Sequence, residues 1–189
     1  MTALYENTVD VLSSWAATSD DAELARKRTL DLLADGPVAM TRAHRLGHVT
    51  ASALIVGDDS RVLLCLHGRL GLWMQLGGHC EEGDPTLAAA AFREATEESG
   101  ITGLILDPTP IDIDIHDVRC GPRDGAPAEP SVHYDVRFLL RAPAGSVERI
   151  SEESSDLRWF TADALPSPLA SGTVQQIAPA LARVTGAGA

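Results

Sequence analysis

The sequence is poor in several things, and each shortage excludes something. Aromatic residues make up only 4% of the 189 residues. The core must therefore be built from Ala, Val, Leu and Ile. There are three cysteines, Cys65, Cys80 and Cys120, with wide spacing and no CxxC pair. An odd, scattered set does not make a disulfide scaffold or a thiolate zinc site, and a reducing cytoplasm is the simplest setting. No stretch approaches the roughly 18 apolar residues of a membrane span. The first twenty residues lack a basic start followed by an apolar run, so a secretory signal is not expected. Lysine is nearly missing: Lys27 is the only one, and every other cation is arginine. A GC-rich coding bias explains this, which points to a bacterial source. Positive charge is also short overall, since 27 acids face 15 bases for a formal net charge of −12. Such a surface argues against a nucleic-acid backbone or an anionic membrane as partner. An anionic substrate would need a bound divalent cation to offset the repulsion.

What is present reads as one domain with extra length. Residues 1–36 are helical in pattern. Val9, Leu12, Trp15 and Ala16 recur at helical spacing, Ser19 or Asp20 suits an N-cap, and Gly36-Pro37 stops the run. The stripe Leu24, Leu30 and Leu33 is expected to pack on the main domain; the alternative is a dimerisation arm that would make a homodimer. From residue 48 the period shortens. Two apolar runs flank Gly57-Asp58-Asp59-Ser60 as a hairpin, and LWMQLGG reads as one short strand. Residues 86–99 form an alanine-rich helix ended by Gly100. IDIDIHDV and VHYDVRFLLRA alternate with period two, separated by a Pro- and Gly-rich loop over 119–131. SDLRWF is a short strand, and TVQQIAPALARV is a final amphipathic helix with Pro179 kinking it or lying near its start.

Chemistry concentrates between Gly77 and Ile101. At 100° per residue, Glu94, Glu97 and Glu98 share an arc of about 100° on the helix. Ala88, Phe92, Ala95 and Ser99 fall on the other side, facing the core. An acidic solvated face is the plain alternative. Against it, the acids sit near the helix C-terminus, where the macrodipole disfavours them, and they repel one another unless a cation intervenes. Hard oxygen donors at this density suit Mg²⁺ or Mn²⁺.

The segment resembles the Nudix hydrolases. Arg93-Glu94-Ala95-Thr96-Glu97-Glu98-Ser99-Gly100-Ile101 matches every fixed position in the second half of the Nudix box. In the first half, Gly78 is followed by five residues and then Asp84 where the family has Glu. Eight residues separate Asp84 from Arg93 where the family has seven, and Leu76 stands where many members have proline. The resemblance covers about residues 45–165 and implies an α/β/α sandwich with a mixed β-sheet. The division expected is a helical N-terminal extension over 1–38 and the hydrolase domain over 39–189.

The resemblance also implies roles. Glu97, Glu98 and the Gly77 carbonyl would ligate a Mg²⁺ or Mn²⁺ ion. Glu94 would ligate a metal or act as general base, and Arg93 would brace the carboxylates. Glu153, six residues before Trp159, is the candidate for a further acid or base, with Glu152 behind it. The implied activity is hydrolysis of a phosphoanhydride in a nucleoside diphosphate linked to another group. The alternative is a non-catalytic module that senses nucleotides; prenyl diphosphate isomerisation is a third reading. Subclass marks are missing. Asp117 stands where the ADP-ribose type has proline, no tyrosine stands nearby as in the dinucleoside polyphosphate type, and the NADH-type motif is absent.

The strand pattern adds a second set. Asp112, Asp114 and His116 lie on one face of their strand, and His133, Asp135 and Arg137 on one face of theirs. This is either the wet face of an edge hairpin or the wall of a substrate cleft. On the second reading His79, His116 and His133 contact substrate, Arg137 clamps a phosphate, or Asp114, His116 and His133 hold a second metal. His44 and His48 read as structural or exposed. Trp73 and Trp159 read as core, and Cys80 is the one thiol placed for reactivity.

Overall fold

The structure is a computed structural model in which residues 1–44, 46–121, 128–151 and 154–186 are described. In chain order the elements are α1 (Thr2–Ser14), α2 (Asp20–Leu33), a 3₁₀ turn (Pro37–Met40), β1 (His48–Val56), β2 (Val62–His67), β3 (Trp73–Met74), β4 (Leu76–His79), α3 (Leu87–Ser99), β5 (Ile105–Cys120), β6 (Glu129–Arg141), β7 (Ser154–Phe160) and α4 (Ile177–Gly186).

The strands form one mixed seven-stranded sheet with the path β3-β2-β1-β6-β5; β4 also pairs with β1, and β7 with β2. β1 runs parallel to β6, and the other pairings are antiparallel. β1 is the hub, and all nine of its residues are buried. Its side chains alternate between two faces. Val49, Ala51, Ala53 and Ile55 meet Leu87, Ala88, Ala91 and Ala95 of α3 together with Leu4, Leu12, Trp15 and Leu33 of the N-terminal segment. Leu54 and Val56 meet Ile111, Leu139 and, from α4, Ile177 and Ala180. Helices therefore cover both faces, and the layers are α/β/α, as the sequence implied. Buried alanines, among them those at 39, 51, 53, 88, 90, 91 and 95, do much of the filling that aromatics do elsewhere.

Local chemistry explains the boundaries. The Ser19 side chain accepts from Ala22 N at 3.1 Å and starts α2. Of the expected α2 stripe, Leu33 is buried and Leu30 packs against the core, but Leu24 is 58% exposed; Ala22, Thr29 and Leu32 complete the buried face. Thr86 caps α3 through Ala89 N, and Gly100 ends it in the left-handed region at φ 64°. The stretch read as one strand at LWMQLGG is two, because Gln75 breaks it: β3 pairs with β2 and β4 with β1. The expected loop over 119–131 is narrower, since Arg119 and Cys120 end β5 and Glu129, Pro130 and Ser131 begin β6; residues 122–127 are outside the described residues. The last helix starts only at Ile177, with Pro179 in its first turn, where a missing N–H costs nothing.

Candidate functional site

β4 and α3 bring the acidic segment together. Gly77 N donates to Glu98 Oε2 at 2.9 Å. A Cβ on Gly78 would lie 2.8 Å from the Glu94 carboxylate carbon, so that carboxylate rests directly on the glycine backbone. Gly77 has φ +156°, and a Cβ there would collide with the Cα and Cβ of Ser52 on β1. The glycine pair is thus required twice, by the sheet below and by the acid above.

Arg93 ties the group. Its Nε and Nη2 donate to Oδ1 and Oδ2 of Asp84 at 2.9 and 3.0 Å. Its Nη1 donates to Glu94 Oε1 at 3.0 Å and to Glu97 Oε2 at 3.3 Å, and Nη2 also reaches the His79 carbonyl at 3.1 Å. Asp84 additionally accepts from Glu81 N at 2.7 Å. Burial would raise the Asp84 carboxyl, but the Arg93 hydrogen bonds, the Glu81 N–H and the Arg93 charge outweigh it and hold it below the ordinary aspartate value. Asp84, the residue that departs from the box, is the bidentate anchor of Arg93. Glu97 keeps its side chain 60% exposed. Three carboxylates and a glycine backbone on one surface are a donor set that fits a hard divalent cation. Glu153 and Glu152 lie outside the described residues.

The second set assembles differently from either reading. β5 and β6 pair with Asp112 opposite Arg137, Asp114 opposite Asp135 and His116 opposite His133. β5 ends the sheet path and β6 lies between it and β1, but Asp135 and Arg137 are buried, so the face is not simply open to water. Arg137 is 1% exposed. Its Nε donates to Asp135 at 3.1 Å, Nη1 to Asp112 at 3.3 Å and to the Gly172 carbonyl at 2.6 Å, and Nη2 pairs with Asp114 at 3.0 Å. A Cβ on Gly172 would lie 2.9 Å from its guanidinium, so the chain before α4 closes over it. The phosphate clamp is corrected accordingly: every nitrogen of Arg137 already has a protein acceptor, and the residue is an internal strut. Asp135 completes the network, accepting from Thr50, Ser52 and Gln75. Asp114 bonds His116 Nδ1 at 2.8 Å, a hydrogen bond that raises the imidazole above its ordinary value.

His133 meets His116 edge-on, with ring centroids 5.6 Å apart, and also belongs to a second group. It joins His79, Cys120 and His48, with one ligand atom of each within 4.8 Å of all the others. The metal triad expected from Asp114, His116 and His133 is therefore not the group that converges. His48, expected to be an isolated structural histidine, and Cys120 were missed. Their signal was parity: residues 48, 116, 120 and 133 share one face once β1, β5 and β6 are adjacent, a pairing that the sequence alone does not give. Burial pushes His48 down to about 4 and His133 down to about 3.

The other expectations resolve simply. His44 bonds Gly47 O and Asp35. Trp73 is buried edge-on to Phe160. Trp159 donates to Glu148 at 2.7 Å. Cys80 is buried, which pushes its thiol up to about 12 and removes its reactivity. A groove of about 370 Å³ between Trp15, Pro108, Pro110 and Arg183 contains none of the box carboxylates and is no rival for the chemistry.

Among known proteins, the family model described as the NUDIX domain matches residues 46–183. A MutT NUDIX hydrolase from Burkholderia pseudomallei is 28% identical, with 69% of this chain and 95% of that chain covered and a TM-score of 0.51. A NUDIX family hydrolase from Clostridium perfringens is 23% identical over 73% and 98%, TM-score 0.54. An Ap4A hydrolase from C. elegans is 18% identical over 73% and 98%, TM-score 0.54, and shares the fold. Among the described residues no helix is long and apolar enough to cross a membrane.

Proposed function

The chain belongs to the NUDIX domain family, and on that premise we propose that it hydrolyses a phosphoanhydride in a nucleoside diphosphate linked to another group. One observation carries the reading. Glu94, Glu97 and Glu98 are all retained and gathered beside Gly77-Gly78, with Arg93 fixed between them and Asp84. A module that only senses nucleotides has no need of this full set.

Glu97, Glu98 and the Gly77 carbonyl would hold a Mg²⁺ or Mn²⁺ ion, with Glu94 at its side. When bound, such an ion supplies the positive charge that offsets the phosphate oxygens and makes water a better nucleophile. Glu94 would take the proton of the attacking water; its carboxylate, held against Gly78 and by Arg93, supports that role. Arg93 limits the repulsion among the carboxylates without taking their free lone pairs. Water oxygen bonds to phosphorus, the anhydride oxygen leaves with the other half, and the products are a nucleotide and a phosphorylated remainder.

The test is turnover of nucleoside triphosphates (normal and oxidised), ADP-ribose, nucleotide sugars, NADH, diadenosine polyphosphates and coenzyme A with Mg²⁺ or Mn²⁺. One class should turn over, and Glu97→Gln should abolish it. Nucleotide binding without turnover of any class would replace hydrolysis with sensing.

A further inference from the structure

The cluster of His48, His79, Cys120 and His133 side chains contains none of the box carboxylates. It draws one residue from each of four strands: the start of β1, the end of β4, the end of β5 and the body of β6. Register fixes the set. His48 is directly opposite His133 across the parallel β1–β6 pair, and His79 sits opposite Thr50, two residues along the same face of β1. The Cys120 sulfur is 3.4 Å from His79 Nε2 and 3.9 Å from His48 Nε2.

We propose that these four residues form a closed binding site for a divalent transition ion of the zinc type, separate from the hard-cation site on α3. Three imidazoles and a thiolate are soft to borderline donors, which select zinc-like ions and are poor ligands for Mg²⁺. Four protein ligands leave no open position, so the site is structural. Tetrahedral bonds of about 2.0 Å to nitrogen and 2.3 Å to sulfur separate ligand atoms by about 3.3–3.6 Å. The observed spread of up to 4.8 Å needs a contraction of about 1 Å. Side-chain rotation supplies it, since three of the four residues are only partly buried.

Ring packing alone is the competing explanation. His48 stacks on His79 at 5.0 Å, and His133 meets both edge-on at 4.9 Å. That packing leaves His133 Nε2 buried with no hydrogen-bond partner among the described residues, and an unsatisfied buried polar atom carries a desolvation cost that ring contact does not repay. An ion gives the buried nitrogen and the sulfur a common partner. Arg42 sets a condition. Its Nη2 lies 2.8 Å from His79 Nδ1, and a guanidinium can only donate, so Nε2 carries the ring proton toward the sulfur. Taking the ion on Nε2 moves that proton to Nδ1 and displaces Arg42 Nη2; Arg42 is exposed, and its other nitrogen Nη1 donates to the Gly121 carbonyl at 3.4 Å. The thiol proton is released on binding, so affinity rises with pH. The consequence reaches the carboxylates, because the His79 carbonyl holds Arg93 at 3.1 Å.

The experiment is a Co²⁺ titration of the metal-stripped full chain under reducing conditions, followed by Zn²⁺ competition and thermal melts. One tightly bound equivalent should give a thiolate-to-cobalt charge-transfer band and tetrahedral visible bands. Zn²⁺ should displace it and raise the melting temperature, while excess Mg²⁺ should do neither. Cys120→Ser should abolish the charge-transfer band, and both Cys120→Ser and the more peripheral His79→Gln should weaken binding by more than about tenfold. Arg42→Ala should tighten it, and Glu97→Gln should leave it intact. A cobalt spectrum without a sulfur band, a band that survives Cys120→Ser, or Zn²⁺ binding lost in Glu97→Gln would each overturn the site.

Discussion

A single hydrogen at position 78 leaves room for the Glu94 carboxylate, and the neighbouring glycine answers to a different constraint. A methyl at Gly78 meets only the far end of a flexible side chain. Gly78→Ala should therefore displace Glu94 and lower kcat by about a hundredfold, with a stability change within about 1 kcal/mol. A methyl at Gly77 meets the backbone of Ser52 at a φ that L-residues avoid. Gly77→Ala should cost more than about 2 kcal/mol. Urea unfolding beside kcat separates the two, and unchanged kcat in Gly78→Ala would remove Glu94 from the reaction. Asp84 makes a related point. The box pattern does not account for it, yet the shorter carboxylate reaches Arg93 with both oxygens.

At the scale of elements, the N-terminal helices do more than cover the sheet. Asn7 Oδ1 on α1 accepts from Leu87 N at 2.9 Å, so one helix caps the start of the helix that carries the acids. Asn7→Ala should lower the unfolding free energy by about 1 kcal/mol in urea titration. The β5–β6 pair sets a pH dependence. The Asp114 hydrogen bond raises His116 above 6.5, so the folded chain holds that proton more tightly than the unfolded one. The resulting stabilisation is full below 6.5 and fades as pH rises through the folded value. His116→Asn should then destabilise more at about pH 5.5 than at about pH 9. Equal losses at both would show that the pair contributes no charge interaction. The buried His48 and His133 act with the opposite sign; His48 is common to both proteins, whereas His133 meets His116 edge-on and feels its charge, so its contribution shrinks in the variant and offsets part of the effect.

For the whole molecule, charge sets the terms of binding. The chain carries −12, and two of its few cations, Arg93 and Arg137, are already committed to carboxylates. A polyanionic nucleotide, the substrate class proposed, would therefore meet repulsion that a divalent ion can offset. In equilibrium dialysis, retention of the nucleotide substrate should need Mg²⁺ or Mn²⁺ and vanish with EDTA. Retention with the chelator present would mean that protein cations carry the binding.

The carboxylate site was legible in the sequence because its parts lie within one helix and the loop before it. There the spacing of Glu94, Glu97 and Glu98 is fixed by the helical turn itself. The α/β/α layers were expected from the family resemblance that this same segment carries. The His48, His79, Cys120 and His133 group, and the burial of Arg137 among three aspartates, were not legible. They depend on β1 running parallel to β6, which places residues 85 positions apart side by side. Alternation tells which residues share a face of their own strand, but not which strand becomes its neighbour. That choice is made by long-range packing around β1, and only the tertiary structure expresses it.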